Sequence, residues 1–267
     1  MTHTITPPVG DTKHTTATGA TSTITIGTLK RITDAACAFD DEPLARKASD
    51  RIALHAVTDA RDAWSDITVD SALRTNGTPF HGEHRLPLAR VADLMSTRHT
   101  GSRATINVDT AENELSLIAP SFQYNKSLVV TTTTPNKSTR PDHYRLVTVQ
   151  ATGDALNAPL ALAHGITNKV KLAYDPATHQ LSITTIGSDD SLTATYDLPQ
   201  SLNLPSKAVE TAIPCDRFVT VNDAIPDDTA CSIAFGDGSS VRITYEIAGV
   251  ADIAFTLRAL PVTLTER

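Results

Sequence analysis

Few residues in this chain are spaced for chemistry. His81-Gly-Glu-His84 offers a pair of imidazoles, the beginning of a zinc site. No third ligand stands nearby, however, and the segment reads as a loop. Gly236-Asp-Gly238 has the composition of a phosphate loop, but it separates two strand patterns and so reads as a hairpin turn. Cys215 falls at an apolar helical position, and the nine scattered histidines give it no partner in a motif. No nucleophile elbow, P-loop or HExxH occurs. Cys37, Cys215 and Cys231 are few, odd in number and without CxxC spacing, which argues against a disulfide framework and for a reducing cytoplasm. The reading is a protein that is not an enzyme, with no metal and no cofactor.

The bulk composition narrows the class. In 267 residues, 40% hydrophobic, there is material for one large or two ordinary domains. No run approaches the roughly 20 apolar residues of a membrane span. Residues 1–22 are Thr-rich, hold Pro7, Pro8, Gly10 and Gly19, and contain no apolar run; they read as an unstructured tail and not as a secretory signal. The net charge of -7 speaks against a surface coated for nucleic acid. Asp outnumbers Glu 23 to 7, Arg outnumbers Lys 15 to 8, and Thr is abundant. That bias reads as adaptation to high salt, with compositional drift as the alternative.

Strand patterns dominate. Alternation of apolar and polar residues runs through 51–56, 104–109, 114–118, 180–185, 230–235 and 241–247, and turn residues separate these runs at 110–113, 175–178 and 236–238. Helical patterns are short. Leu29, Ile32, Ala35, Ala36 and Phe39 share one face, as do Leu88, Val91, Ala92 and Met95 behind Pro87. Weaker candidates are Asp154 to His164, interrupted early by Pro159, and Cys215 to Ala224, stopping before Pro226.

Two helices before Arg140 and two after it prompt a search for a repeat. A shift of 127 residues carries Pro87, Arg90 and Leu94 onto Pro214, Arg217 and Val221, and Ile106 and Val108 onto Ile233 and Phe235. The same shift carries Leu29, Leu54 and Ala56 onto Leu156, Leu181 and Ile183. The register slips by one residue after the turn at 110–113. Each half then reads helix, strands, helix, strands, with a polar stretch from Thr131 to Pro141 between them.

The order and spacing of these segments resemble the archaeal and eukaryotic sliding clamp of the proliferating cell nuclear antigen (PCNA) family. Gly27-x-Leu29-Lys30-Arg31-Ile32 resembles the opening helix, and Ile52-x-Leu54-His-Ala-Val-Thr-Asp59 the strand and turn that follow. Leu86 to Met95, then Ala104 to Ile118, resembles the second helix and its hairpin. Phe235-Gly-Asp-Gly238, Val241-Arg-Ile-Thr-Tyr-Glu-Ile-Ala248 and Ile253-Ala-Phe-Thr-Leu257 resemble the closing strands before a short apolar-Pro tail. The likeness covers roughly Ser22 to Val262, and no single motif is diagnostic. It implies an α+β DNA-clamp fold with a tail at 1–22, clamp domains at 23–132 and 144–267, and a linker at 133–143. Each domain would have two helices lining a central hole and antiparallel sheets outside.

The resemblance further implies a DNA polymerase processivity factor of an archaeon or one of its viruses. It would be a cytoplasmic homotrimer that encircles double-stranded DNA without reading sequence and works with a polymerase and a clamp loader. The alternatives are a clamp paralogue in a heteromeric or repair ring, and a β-rich virion or structural protein. Phosphate contacts would come from Lys30, Arg31, Arg90, Arg98, Arg103 and Arg217, although a charged helix face is otherwise simply solvated. Asp93, Leu160 and Asp223 stand where clamps often carry a base, so the hole would be weakly basic and the grip loose. Partner segments would insert near Asp62, Trp64, Pro135, Tyr144, Tyr245, Phe255, Leu260 and Pro261, with Trp64 either a pocket wall or ordinary core. Subunits would meet head to tail through edges at 123–132 and 189–197, using Tyr124, Leu128, Val130, Leu192, Ala194 and Tyr196.

Overall fold

The computed structural model describes residues 24–48, 51–70, 73–74, 82–96, 101–109, 112–119, 122–130, 145–187, 189–199, 202, 204–247 and 249–261. The first repeat runs β1 (Ile24–Thr25), α1 (Ile26–Ala36), β2 (Leu44–Ala48), β3 (Arg51–Val57), β4 (Ala63–Val69), β5 (Leu73–Arg74), β6 (Glu83–Arg85), α2 (Leu88–Ser96), β7 (Arg103–Asp109), β8 (Glu114–Ala119), β9 (Phe122–Ser127) and β10 (Val129–Val130). The second runs β11 (Val147–Thr152), α3 (Gly153–Ile166), β12 (Lys169–Asp175), β13 (Gln180–Thr185), β14 (Thr193–Asp197), β15 (Val209–Pro214), α4 (Cys215–Ala224), β16 (Ala230–Phe235), β17 (Val241–Ile247) and β18 (Ala251–Leu257).

The strands make three sheets, and every pairing except β5 with β7 is antiparallel. One sheet is ordered β1-β7-β8-β9 and another β14-β13-β12-β15. The third has nine strands, β10-β6-β2-β3-β4-β18-β17-β16-β11, and fuses the repeats: β4 of the first pairs with β18 of the second from Ala63↔Leu257 to Val69↔Ala251. The offset of 127 places the starts of α1, α2 and β7 on those of α3, α4 and β16. Ile106 pairs with Leu117 whereas Ile233 pairs with Ile243, which is the one-residue slip expected after the turn.

Local chemistry explains the helices. Thr25, in extended conformation, accepts the Thr28 N–H at 3.1 Å and caps α1. The buried sides of α1 and α2 carry Leu29, Ile32 and Ala36, and Leu88, Val91 and Met95. Helix α3 departs from expectation, because Pro159 lies inside it without ending it. Proline has no N–H for the carbonyl four residues back. That carbonyl, on Ala155, instead accepts the Tyr196 hydroxyl from β14 at 3.1 Å. Gly153 opens α3 against the α4–β16 loop, where a Cβ would stand 2.7 Å from the Pro226 carbonyl oxygen.

The four helices lie in two pairs, α1 with α2 and α3 with α4, and α1 also meets α4 across the repeats. Beneath that meeting Phe39 stands edge-on to Phe255 at 5.8 Å, and Tyr245 packs on Phe255 at 6.2 Å. Among the described residues, no helix is long and apolar enough to cross a membrane.

Candidate functional site: helix faces and free strand edges

The outward helix faces are nearly neutral. Lys30 contacts Asp34 at 2.5 Å one turn on, and Arg90 lies 3.9 Å from Asp93 with both side chains mostly exposed. Arg31 is exposed and makes no ion pair among the described residues. Arg217 behaves differently: its Nε is 3.3 Å from the Asp62 carboxylate and 3.7 Å from that of Asp216, in a half-buried setting. Asp62 also accepts the Thr58 hydroxyl at 2.5 Å, and it sits in the β3–β4 turn, so Arg217 fastens one repeat to the other. Arg103 opens strand β7, on no helix, and pairs in register with Thr25, the residue that caps α1; Arg98 lies outside the described residues.

Three of the predicted phosphate ligands, Lys30, Arg31 and Arg90, are therefore on outward helix faces. Asp93 and Asp223 are exposed on α2 and α4, as the resemblance suggests. Leu160 is only 1% exposed and belongs to the core, which corrects its expected outward placement; the exposed leucine of α3 is Leu162. Across the four helices four bases face five acids, and α3 has neither Lys nor Arg.

The predicted partner pocket divides in two. Trp64, Tyr245 and Phe255 are 1%, 6% and 0% exposed, so all three pack inside the chain, and the choice for Trp64 falls to core. The Tyr245 hydroxyl donates to the Ala224 carbonyl at 2.8 Å, and burial, with Asp34 nearby, pushes its pKa well above the usual phenol value. Leu260 and Pro261 remain reachable at the end of a tail that runs beside β15, tied by the Leu260 N–H to the Ala212 carbonyl at 2.8 Å. The Arg258 guanidinium lies 5.9 Å from the Trp64 ring and seals it from outside. Pro135 and Tyr144 lie outside the described residues. The inward phase of β17 and β18 was available in the sequence: Tyr245 alternates with Ile243 and Ile247, and Phe255 with Ile253 and Leu257.

The strand edges are the most informative feature. Among the described residues β9 and β14 each have a neighbour on one side only. Counted through the pairings, β9 corresponds to β18 and β14 to β4, the two strands that join the repeats. At that internal joint Ala63, Ser65, Ile67 and Val69 are at most 1% exposed. Their counterparts Leu192, Ala194, Tyr196 and Leu198 are half-buried, alternating with exposed Thr193, Thr195 and Asp197. Tyr124, the counterpart of sealed Phe255, is likewise half-buried. Four predicted interface residues, Tyr124, Leu192, Ala194 and Tyr196, are thus brought to free edges. Leu128 is buried, and Val130 belongs to β10, which pairs with β6 inside the chain.

Of the two histidines set aside above as a metal pair, His84 is buried on β6 and His81 lies outside the described residues; among the described residues no group of three potential ligands is present. The cysteines are protected thiols. Burial, reinforced by Asp41 and Asp34, pushes Cys37 up to about 12, and burial pushes Cys231 up to about 11.

No family model matches the sequence, and no curated protein sequence matches it. Solved structures do. The PCNA of A. fulgidus, bound to the C-terminal region of FEN-1, has a TM-score of 0.75 at 16% identity over 89% of this chain and 97% of that one. PCNA from Thermococcus kodakaraensis has a TM-score of 0.75 at 13% identity over 89% and 98%. The proliferating cellular nuclear antigen of Entamoeba histolytica has a TM-score of 0.74 at 9% identity over 89% and 97%. This chain therefore has the α+β fold of the PCNA sliding clamps.

Proposed function

We propose that the chain is the subunit of a DNA sliding clamp, a homotrimeric ring that encloses duplex DNA and tethers a polymerase delivered with the help of a clamp loader. The observation that carries this reading is the pair of free edges, which are the two halves of the joint already made inside the chain. Repeating that joint between copies pairs β14 of one with β9 of the next, head to tail, and satisfies both exposed strand edges. The counted register sets Phe122 opposite Tyr196, Gln123 opposite Thr195 and Tyr124 opposite Ala194.

In such a ring the helix faces look onto the DNA, and Lys30, Arg31 and Arg90 are the phosphate contacts. Each phosphate neutralised contributes about -0.9 to the slope of log affinity against log salt. Faces with more acids than bases give a shallow slope, so enclosure rather than attraction retains the DNA. No reaction is required of any residue. A second reading, a heteromeric ring whose other subunits supply basic helices, is favoured by the lack of Lys and Arg on α3. The solved A. fulgidus clamp holds a FEN-1 segment; by analogy, partner segments would here dock beside Leu260 and Pro261.

Subunits assembled in the presence of a closed circular duplex should stay with it through gel filtration in molar salt and leave when the circle is cut. Equal loss from circular and linear DNA would contradict enclosure.

A further inference from the structure

The second repeat carries a polar path that the first lacks. Pro159 gives no N–H to the Ala155 carbonyl of α3, and the Tyr196 hydroxyl of β14 donates to that carbonyl at 3.1 Å in its place. At the corresponding positions of the first repeat stand Ile32, which keeps its N–H, and Ile67, which has no side-chain donor and is 1% exposed. Two residues along α3, Asn157 donates to the Asp227 carboxylate at 3.0 Å and accepts from Asn222, a residue of α4 that is only 2% exposed. Their counterparts are Lys30, which turns to Asp34 within its own helix, and Met95, which is core. Polar bonds thus run from β14 through the first half of α3 to α4, in the repeat whose outer strand is free.

The Tyr196 end of this path is wet. Tyr196 is half-buried, Ala155 is exposed, and both line an open cleft of about 440 Å³ beside the β14 edge. Water competes for an exposed hydrogen bond and leaves it a small net contribution, whereas excluding water strengthens it. In the first repeat β18 lies along β4, and the equivalent place is dry.

We infer that Tyr196 couples the state of the β14 edge to the helices. A strand laid along that edge dries the Tyr196–Ala155 bond and fixes the first half of α3 against α4; an open edge leaves that half of the helix loose. The inference rests on the ring reading above, in which assembly fills the edge and the helices face the DNA. It adds that filling the edge sets the helix face.

Hydrogen exchange of the full chain tests this, followed in peptides from α3 and, for reference, α1, at concentrations where sedimentation shows the protein single and assembled. Amides of α3 should exchange about three- to tenfold more slowly in the assembled protein, and those of α1 should change less than about twofold. Pro159→Ala returns the N–H and should hold α3 already in the single chain. Both Pro159→Ala and Tyr196→Phe, the latter compared where it too is assembled, should reduce the slowing of α3 below about twofold. An assembled protein whose α3 exchanges as fast as in the single chain overturns the coupling and leaves the ring standing. Slowing that survives either substitution does the same. A chain that stays single at every concentration overturns the ring reading and the coupling together.

Discussion

At the scale of residues, the contacts that matter most are those made between distant parts of the chain. Arg217 spans 155 positions to reach Asp62. No pattern local to either residue announces that pair, so the sequence reading placed Arg217 among phosphate ligands. Because the pair is half-buried and also holds Thr58, Arg217→Ala should lower unfolding stability by about 1–2 kcal/mol in a urea titration. An unchanged midpoint would leave Arg217 free for DNA. Gly153→Ala should cost about 1–3 kcal/mol, since its methyl would meet a backbone oxygen at 2.7 Å. Cys231 provides a pH test. Its folded value of about 11 lies above the ordinary thiol value of about 8.5. The folded state therefore binds this proton more tightly, and the stability it contributes is intact below the unfolded value and drains away as pH rises toward 11. The melting temperature should fall across that interval, and fall less steeply in Cys231→Ala; parallel curves would exclude burial of Cys231 as a cause.

At the scale of elements, the best-read segments were those whose own periodicity suffices. The bounds of α4, β13, β16 and β17 follow from alternation or from a stop before Pro226, and the structure keeps them. Helix α3 was harder, because the continuation through Pro159 depends on a hydroxyl from another element. Tyr196→Phe leaves the Ala155 carbonyl without that donor and should cost about 1 kcal/mol. Pro159→Ala restores the helix's own N–H, so the tyrosine substitution should cost much less in that background. Equal costs in the two backgrounds, measured by thermal melts, would separate the hydroxyl from the proline. The outward faces were only partly legible: Lys30, Arg31 and Arg90 follow helical spacing, whereas Leu160 and Leu162 could be told apart only once the rotation of α3 on its sheet was fixed.

At the scale of the whole molecule, duplication accounts for both the fold and the proposed assembly. One joint, β4 with β18, is closed within the chain, and its two halves recur as open edges at β14 and β9. The repeat was visible in the sequence as a constant offset, but the edges themselves came from resemblance, because strand order is a property of pairing and not of pattern. At 1 M salt the Debye length shrinks to about 3 Å and phosphate contacts contribute little, so near-neutral helix faces forgo little there. The register is the sharpest consequence of the duplicated joint. Gln123 and Thr195 should face each other across the subunit boundary, within the Cα separation a disulfide tolerates. A chain carrying both Gln123→Cys and Thr195→Cys, mildly oxidised, should migrate in denaturing gels as a covalently closed three-chain ring, while either single variant stays a single chain. Failure to cross-link, with efficient cross-linking of Gln123→Cys to Asp197→Cys in its place, would contradict the joint as counted here.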